Sequence, residues 1–525
     1  MNIAEVLRRQ AADRGDAPAL IDVHRGQDRV LRFRELESAT ARFSGQLLEC
    51  GIGGGDAVLI LHPMCAELYA FLIALFRVGA IGMFLDTSSG REYVERCLRI
   101  FPPKAFFGSA KAQLLRLWIP SLQAVKLKMC SRWFPGTMCF SLNSGAVERP
   151  ELAITGESDP ALITFTSGST GEPKAAVRTH GFLLAQHRAL QESLHHCAGE
   201  FDLTTLPVFV LANLASGVTS VLPDADMRRP GHIDPGPVLR QLQRHPIRTM
   251  AASPAFVTRL VGECRRSGLR PDGLRRVFVG GAPVFPEDLR AASQTFPQAE
   301  ITAIYGSTEA EPMAEVALSD VKLEDFAAME RGAGLLAGRP VNSISLRIIC
   351  NQWGTPIGEL NGSSFKDLLV TTDQVGEIVV SGKHVLSGYL NGAGDAETKF
   401  RVDGVVWHRT GDLGRLDACD RLWLLGRASA AIKDERGPLF PFAVECAARQ
   451  VAGVRRAAIL GVNGRRILVL EAEGVSVEAA RQALVWVGLD EVHLVRSIPI
   501  DKRHNAKVDY VELRRMMSQS GDNPL

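Results

Sequence analysis

Residues 166–174 read Thr-Ser-Gly-Ser-Thr-Gly-Glu-Pro-Lys, directly after the apolar run 161–165, Ala-Leu-Ile-Thr-Phe. A strand that empties into such a stretch presents backbone amides to whatever lies beyond it. Gly168 and Gly171 allow angles that turn N–H groups to one side, where they can cradle anionic oxygens. Ser167, Ser169 and Thr170 add hydroxyl donors, and Lys174 adds a positive charge. The spacing is GxxGxxK, which is neither the GxxxxGK[ST] of P-loop NTPases nor the GxGxxG of dinucleotide folds. A polar turn without function is the bland alternative, and the concentration of small and hydroxyl residues before Pro-Lys argues against it.

Outward from this loop the same rhythm repeats. Residues 57–61 (AVLIL) read as a strand, 66–78 as a helix and 80–85 as another strand, and 276–279 (RVFV) and 300–304 (EITAI) end in Gly or near Tyr-Gly. Strands alternating with helices predict α/β layers with a largely parallel sheet, whose ligands sit beyond the carboxyl ends of the strands. After about residue 338 the texture changes to short strand-like runs with Gly turns (346–349, 375–380, 422–425), which predicts a smaller β-rich unit. Beyond Arg427, strands at 455–462 and 467–471 mix with helices, as in a small α+β domain. The expected division is therefore 1–427, with its β-rich part at about 338–427, and 428–525.

Bulk properties narrow the class. A chain of 525 residues is too long for one compact core. Its formal charge of +2 gives no reason to expect nucleic acid or an anionic membrane as partner. Ten cysteines without a CxxC pair or a His-Cys cluster read as reduced thiols of a cytoplasmic protein. The N-terminal stretch is charged and amphipathic, unlike a secretory signal. The most apolar window, 69–85, is broken by Arg77 and two glycines and falls short of the roughly 20 residues of a membrane span. It reads as a buried helix running into a strand.

Four further segments carry candidate chemistry. Gly280-Gly-Ala-Pro283 leaves a bare backbone that a flat ring could approach. Tyr305-Gly-Ser-Thr-Glu309 ends a strand in a carboxylate, the ligand a hard cation needs near phosphates. Asp412, in Trp407-His-Arg-Thr-Gly-Asp412, offers paired acceptors, and Arg427 follows in Leu425-Gly-Arg427. Pro499-Ile-Asp-Lys-Arg-His-Asn-Ala-Lys507 brings lysines near the end. Singly, these read as a strand-to-helix turn, a surface acid, a solvated ion pair and a charged loop.

In this order, after the 166–174 loop, they resemble the adenylate-forming superfamily of acyl-CoA synthetases, luciferases and peptide-synthetase adenylation domains. The resemblance implies ATP and Mg²⁺ as cofactors, a large N-terminal domain of αβ-layered subdomains with a β-rich subdomain, and a small mobile α+β C-terminal lid. It makes Thr166, Ser167, Gly168, Ser169, Thr170, Gly171 and Lys174 the phosphate loop, and lays Gly281, Ala282 and Pro283 along adenine. Tyr305, followed by Gly306 and Ser307, stacks on the base; Thr308 contacts the α-phosphate and Glu309 holds Mg²⁺. Asp412 receives the ribose hydroxyls, Arg427 completes the ribose and phosphate contacts, and Lys507 bridges carboxylate and α-phosphate. Lys502 is the competing lysine and fits the pattern worse.

Residues 206–209 (LPVF), 217–230 and 501–507 look like the β-lactone synthetases of bacterial long-chain olefin biosynthesis. That implies a 2-alkyl-3-hydroxy fatty acid whose own hydroxyl attacks the activated carbonyl, with enzymes of a fatty-acid or olefin pathway as possible partners. The alternatives are an acyl-CoA ligase, which would add CoA, and an inactive adenylate-fold binding protein. Lys174, Glu309, Asp412, Arg427 and Lys507 together argue against the last. Ser429 stands where many relatives carry Asp or Lys at the interdomain hinge, and Ala175 replaces the usual Gly after the loop lysine. The acyl pocket is expected along 180–213 and 251–256, with His180, Phe209 and Phe256 as candidates. Aromatic residues there fit a protein core equally well, and His180 could simply pack or cap a helix.

Overall fold

The protein, seen in a computed structural model, is described for all residues except 1, 144, 146, 150, 168–171, 502–506 and 521–525; at 166, 167, 519 and 520 the backbone alone is described. Runs of β-branched and aromatic residues buried on both faces build a seven-stranded sheet, as parallel sheets require. Its order is Met138–Cys139, Leu127–Cys130, Ala105–Gly108, Ala57–Leu61, Ile81–Phe84, β1 (Pro160–Ser167) and β2 (Pro173–Thr179). All neighbours are parallel except β1 and β2, which form a hairpin with Thr166 opposite Lys174. The apolar window at 69–85 is the buried helix Ala66–Arg77, a Gly79 turn at φ +72, and the strand Ile81–Phe84. Arg77 is fully buried and pairs with Glu37 at 2.6 Å, which is how the core tolerates its charge.

Helices α1 (His180–Ser193) and α2 (Pro207–Ser216) lead into a 14-stranded sheet. Its parallel centre includes β3 (Ile247–Ala252), β4 (Arg276–Gly280) and β5 (Glu300–Ser307), whose carboxyl ends share one edge. β6 (Ala310–Ala317) returns antiparallel on β5, and β7 (Leu335–Pro340) pairs with β6. Through β7 the sheet continues into β9 (Leu422–Arg427), β8 (Val405–Leu416), Gly376–Ser381 and Ser345–Ile349. The β-rich stretch is thus hydrogen-bonded into the α/β sheet rather than standing apart. Gly338 makes the junction possible: at φ +84, an added Cβ would lie 2.0 Å from the Glu315 carbonyl oxygen.

The smaller C-terminal part holds α3 (Pro441–Ala448), a three-stranded sheet (Val454–Val462, Arg465–Ala472, Glu491–Val495) and the helix Tyr510–Ser520. It has its own core around Val444, Ile459, Leu468 and Leu470. It rests on the large part where Arg449 lies 4.1 Å over the Phe285 ring and pairs with Asp288 at 3.1 Å. Among the described residues no helix is long and apolar enough to cross a membrane.

Candidate active site

Parallel pairing of β4 with β5 sets Gly280 opposite Ile304, so Gly281 lies beside Tyr305. Gly281 has φ +81, and an added Cβ there meets nothing within 4 Å. The ledge it forms, with half-buried Ala282 and Pro283 beyond it, leaves room for a flat ring. Tyr305 donates its hydroxyl to Asp412 Oδ2 at 2.8 Å. β8 and β9 set Asp412 opposite Arg427, whose Nη1 donates to Asp412 Oδ1 at 3.1 Å and to the Thr410 carbonyl at 2.8 Å. Asp412 raises the Arg427 guanidinium further, and burial, then Asp412, pushes the Tyr305 phenol up. The phenol therefore stays a donor, and Asp412 is aimed by two partners.

Gly306 and Ser307 finish β5, and Thr308 and Glu309 make the turn into β6. Two contacts fix this turn: buried Arg178 donates to the Thr308 carbonyl at 2.9 Å, and Leu386 N donates to the Glu309 carbonyl at 2.7 Å. Tyr389 donates its hydroxyl to Glu309 Oε1 at 2.8 Å. Burial alone would raise the Glu309 carboxyl, but His408, the Tyr389 hydroxyl and Lys399 outweigh it and hold it at about 2. An ionised Glu309 carboxylate, with the Thr308 hydroxyl next to it in sequence, offers the hard oxygen donors that suit Mg²⁺. Lys399 itself is drawn down by burial to about 8. Its ammonium and that of Lys174 lie 5.7 and 5.9 Å from the Tyr389 ring centre, and Lys174 pairs with Glu397 at 2.8 Å. Tyr389 thus links the loop lysine to Glu309.

Lys507 reaches this group from the C-terminal part. Its N–H donates to Asp501 Oδ1 at 3.1 Å, and Asp501 N–H donates to the Lys507 carbonyl at 2.8 Å, pinning the turn. Its side chain is exposed to solvent yet has protein packed around it. That burial and the Arg427 charge lower its ammonium, against the pull of Asp412, Asp501 and Glu309. Lys507 also acts on Glu311, as does Arg178, although burial dominates and raises that acid to about 7.

The structure therefore brings together Lys174, Gly281, Tyr305, Thr308, Glu309, Asp412, Arg427 and Lys507. Gly168, Ser169, Thr170 and Gly171 lie outside the described residues, as do Lys502 and the side chains of Thr166 and Ser167. His180 is fully buried elsewhere: Ile3 N donates to its Nδ1 at 3.3 Å and Phe76 meets it edge-on at 6.1 Å. Phe256 is buried in the core on one face of the sheet with Val277, Val279 and Ala303. Phe209 packs on the opposite face with Ala251, Phe278 and Ile304. Tyr389, Lys399, Arg178 and Glu311 were not singled out from sequence.

This arrangement, two lysines and an arginine around an acid-lined ledge at the strand ends, belongs to a nucleotide-using enzyme. The chain belongs to the AMP-binding enzyme family, whose pattern matches residues 7–390, and it is an AMP-forming ligase. It is 33% identical over 508 residues to an olefin beta-lactone synthetase of Stenotrophomonas maltophilia, covering 92% of this chain and 90% of the relative. It is 32% identical over 541 residues to the olefin beta-lactone synthetase of Xanthomonas campestris pv. campestris, covering 97% and 96%. Its fold is that of ATP-bound MatB from Rhodopseudomonas palustris, with a TM-score of 0.78 at 21% identity over 98% of this chain and 99% of that one.

Proposed function

We propose that the enzyme activates a long-chain 2-alkyl-3-hydroxy fatty acid as its acyl-adenylate and closes it to a β-lactone, releasing pyrophosphate and AMP. The observation that carries adenylation is that Arg427 and Asp412 pair beside Tyr305, and that their charges and that of Glu309 act on Lys507 from the C-terminal part of the chain. A carboxylate oxygen attacks the α-phosphorus, and the bond to pyrophosphate breaks. Two anions must meet there, so cations placed beforehand matter most. Lys507 draws the carboxylate and α-phosphate together, Thr308 donates to the α-phosphate, and Arg427 and Asp412 hold the ribose. Tyr305 covers the base against Gly281, Ala282 and Pro283, and the 166–174 loop with Lys174 cradles the phosphates. Mg²⁺ held by Glu309 would neutralise phosphate charge.

In the second step the 3-hydroxyl oxygen attacks the acyl carbon. Its proton goes to solvent, the carbon–oxygen bond to AMP breaks, and the electron pair leaves on phosphate. An internal nucleophile needs no second substrate. The 32–33% identity to olefin beta-lactone synthetases over nearly the whole chain supports this product. The lid is residues 428–525, turning on 1–427 about Ser429 in the Ala428–Ala430 turn. Because no thiol has to be admitted, the rotated thiolation state is dispensable here. Phe209 and its neighbours, buried against one another in this structure, would part to admit the alkyl tail. The test is to supply ATP, Mg²⁺ and a 3-hydroxy fatty acid with and without CoA. Lactone formed without CoA supports the reading, and strict dependence on CoA, with a thioester as product, contradicts it.

A further inference from the structure

Alternation along β5 puts Ile304 and Gly306 on one face and Tyr305 on the other. Packing agrees: Ile304 joins Phe209 and Phe278, while Tyr305 meets the core of the opposite face. Directly over Gly306 lies Glu311 of β6, its Cγ 3.1 Å from where a Gly306 Cβ would stand. Glu315, paired opposite Ile304 on that face, reaches Ser193 of α1. Glu311 therefore belongs to the apolar face of Phe209, Phe278 and Ile304, at its end nearest the catalytic edge. It is half-buried, and among the described residues none donates a hydrogen bond to its carboxyl. The charges that act on it are Arg178, which is anchored on Thr164 Oγ1 at 3.2 Å and the Thr308 carbonyl, and Lys507.

A half-buried carboxyl without a donor, at the rim of an apolar surface, is poorly placed for stability, because a desolvated acceptor wants a partner. It is well placed for one substrate. The carboxyl carbon of the acyl group has to sit by Lys507, and the tail has to run along the Phe209 face. The first polar group along that tail is the 3-hydroxyl, and the boundary between the two regions is where Glu311 stands. We propose that Glu311 is a specificity-determining residue that accepts the hydrogen bond of the substrate's 3-hydroxyl and holds that oxygen beside the activated carbonyl. Leu at this position would present an equally large apolar surface and no acceptor; Gln would keep an acceptor oxygen.

This inference rests on a 3-hydroxy acid being the substrate, and its test is separable from the product. Carboxylate-dependent ATP–pyrophosphate exchange needs neither lactone nor CoA. It is measured for a 3-hydroxy fatty acid and the matched 3-deoxy acid with wild type, Glu311→Leu, Glu311→Ala and Glu311→Gln, each checked for folding by thermal unfolding. Wild type is expected to favour the 3-hydroxy acid in kcat/KM. The preference is expected to fall about ten-fold or more in Glu311→Leu and Glu311→Ala, since a site built to bond a hydroxyl rejects the analogue lacking it. Glu311→Gln should restore most of it. A wild type that does not distinguish the two acids, or a preference unchanged in both the Leu and Ala variants, overturns the inference. If wild type discriminates through Glu311 yet makes no lactone, the role of Glu311 stands and the product assignment falls.

Discussion

Glu309 owes its orientation to Tyr389, whose hydroxyl is held 2.8 Å from Oε1. Partners that aim a metal-binding carboxylate commonly matter ten- to a hundred-fold, so Tyr389→Phe should raise the Mg²⁺ concentration needed for half-maximal rate by about ten-fold. A magnesium titration of pyrophosphate release at saturating ATP reads it. Lys507→Ala should leave the fold intact and reduce adenylate formation at least about a hundred-fold, the usual loss when one charge-stabilising donor is removed. Near-normal carboxylate-dependent pyrophosphate release in that variant would refute the role given to Lys507. Sequence spoke clearly for Glu309 and Lys507 because each sits in a short run whose residue types share one task. It was silent on Lys399 and Arg178. Their neighbours, Leu386 and Tyr389 for one and Thr164 and Thr308 for the other, are assembled only by the sheets.

Among the elements, the junction of β6 with β7 is the least forgiving. Gly338→Ala would drive a methyl group into the Glu315 carbonyl, with Val316 Cβ only 2.6 Å away, at a φ that side chains rarely adopt. A loss of about 3 kcal/mol or more is expected, seen as a lower denaturation midpoint in urea; an unchanged midpoint would mean that β7 can shift. The strands at 57–61, 276–279 and 300–304 were legible because each is a short run made up mostly of apolar residues, observed as Ala57–Leu61, Arg276–Gly280 and Glu300–Ser307. β6 was not, for its run from Ala310 to Ala317 mixes acids, Pro and Ala and shows no clean period. Missing it hid the bridge into the β-rich strands, so the change of texture near 338 marked a smaller β-rich unit of the large part without showing how its strands join the α/β sheet. It hid Glu311 as well.

Across the whole molecule, folding buries histidines at a cost that acid exposes. Burial draws His180, His187 and His196 each down to about 4, so all are neutral at pH 7. His187 and His196 share the Ser216 hydroxyl at 3.1 and 3.2 Å. Below their ordinary pKa near 6.5 the unfolded chain binds protons that the folded chain refuses. Their contribution is thus fully present above that value and lost as pH falls toward about 4. The thermal midpoint should decline through this window, and His187→Gln should flatten the decline; an equal slope in both proteins would exclude His187 as a source. The proposed catalysis is also a property of the whole molecule, because Lys507 belongs to one part of the chain and Asp412, Arg427 and Glu309 to the other. Its most direct test is to run the reaction with a fatty acid labelled with ¹⁸O in its carboxylate and weigh the AMP. Attack of the carboxylate on the α-phosphorus and later release of the acyl group leave one labelled oxygen in AMP. Unlabelled AMP, or ADP and phosphate as the nucleotide products, would contradict it.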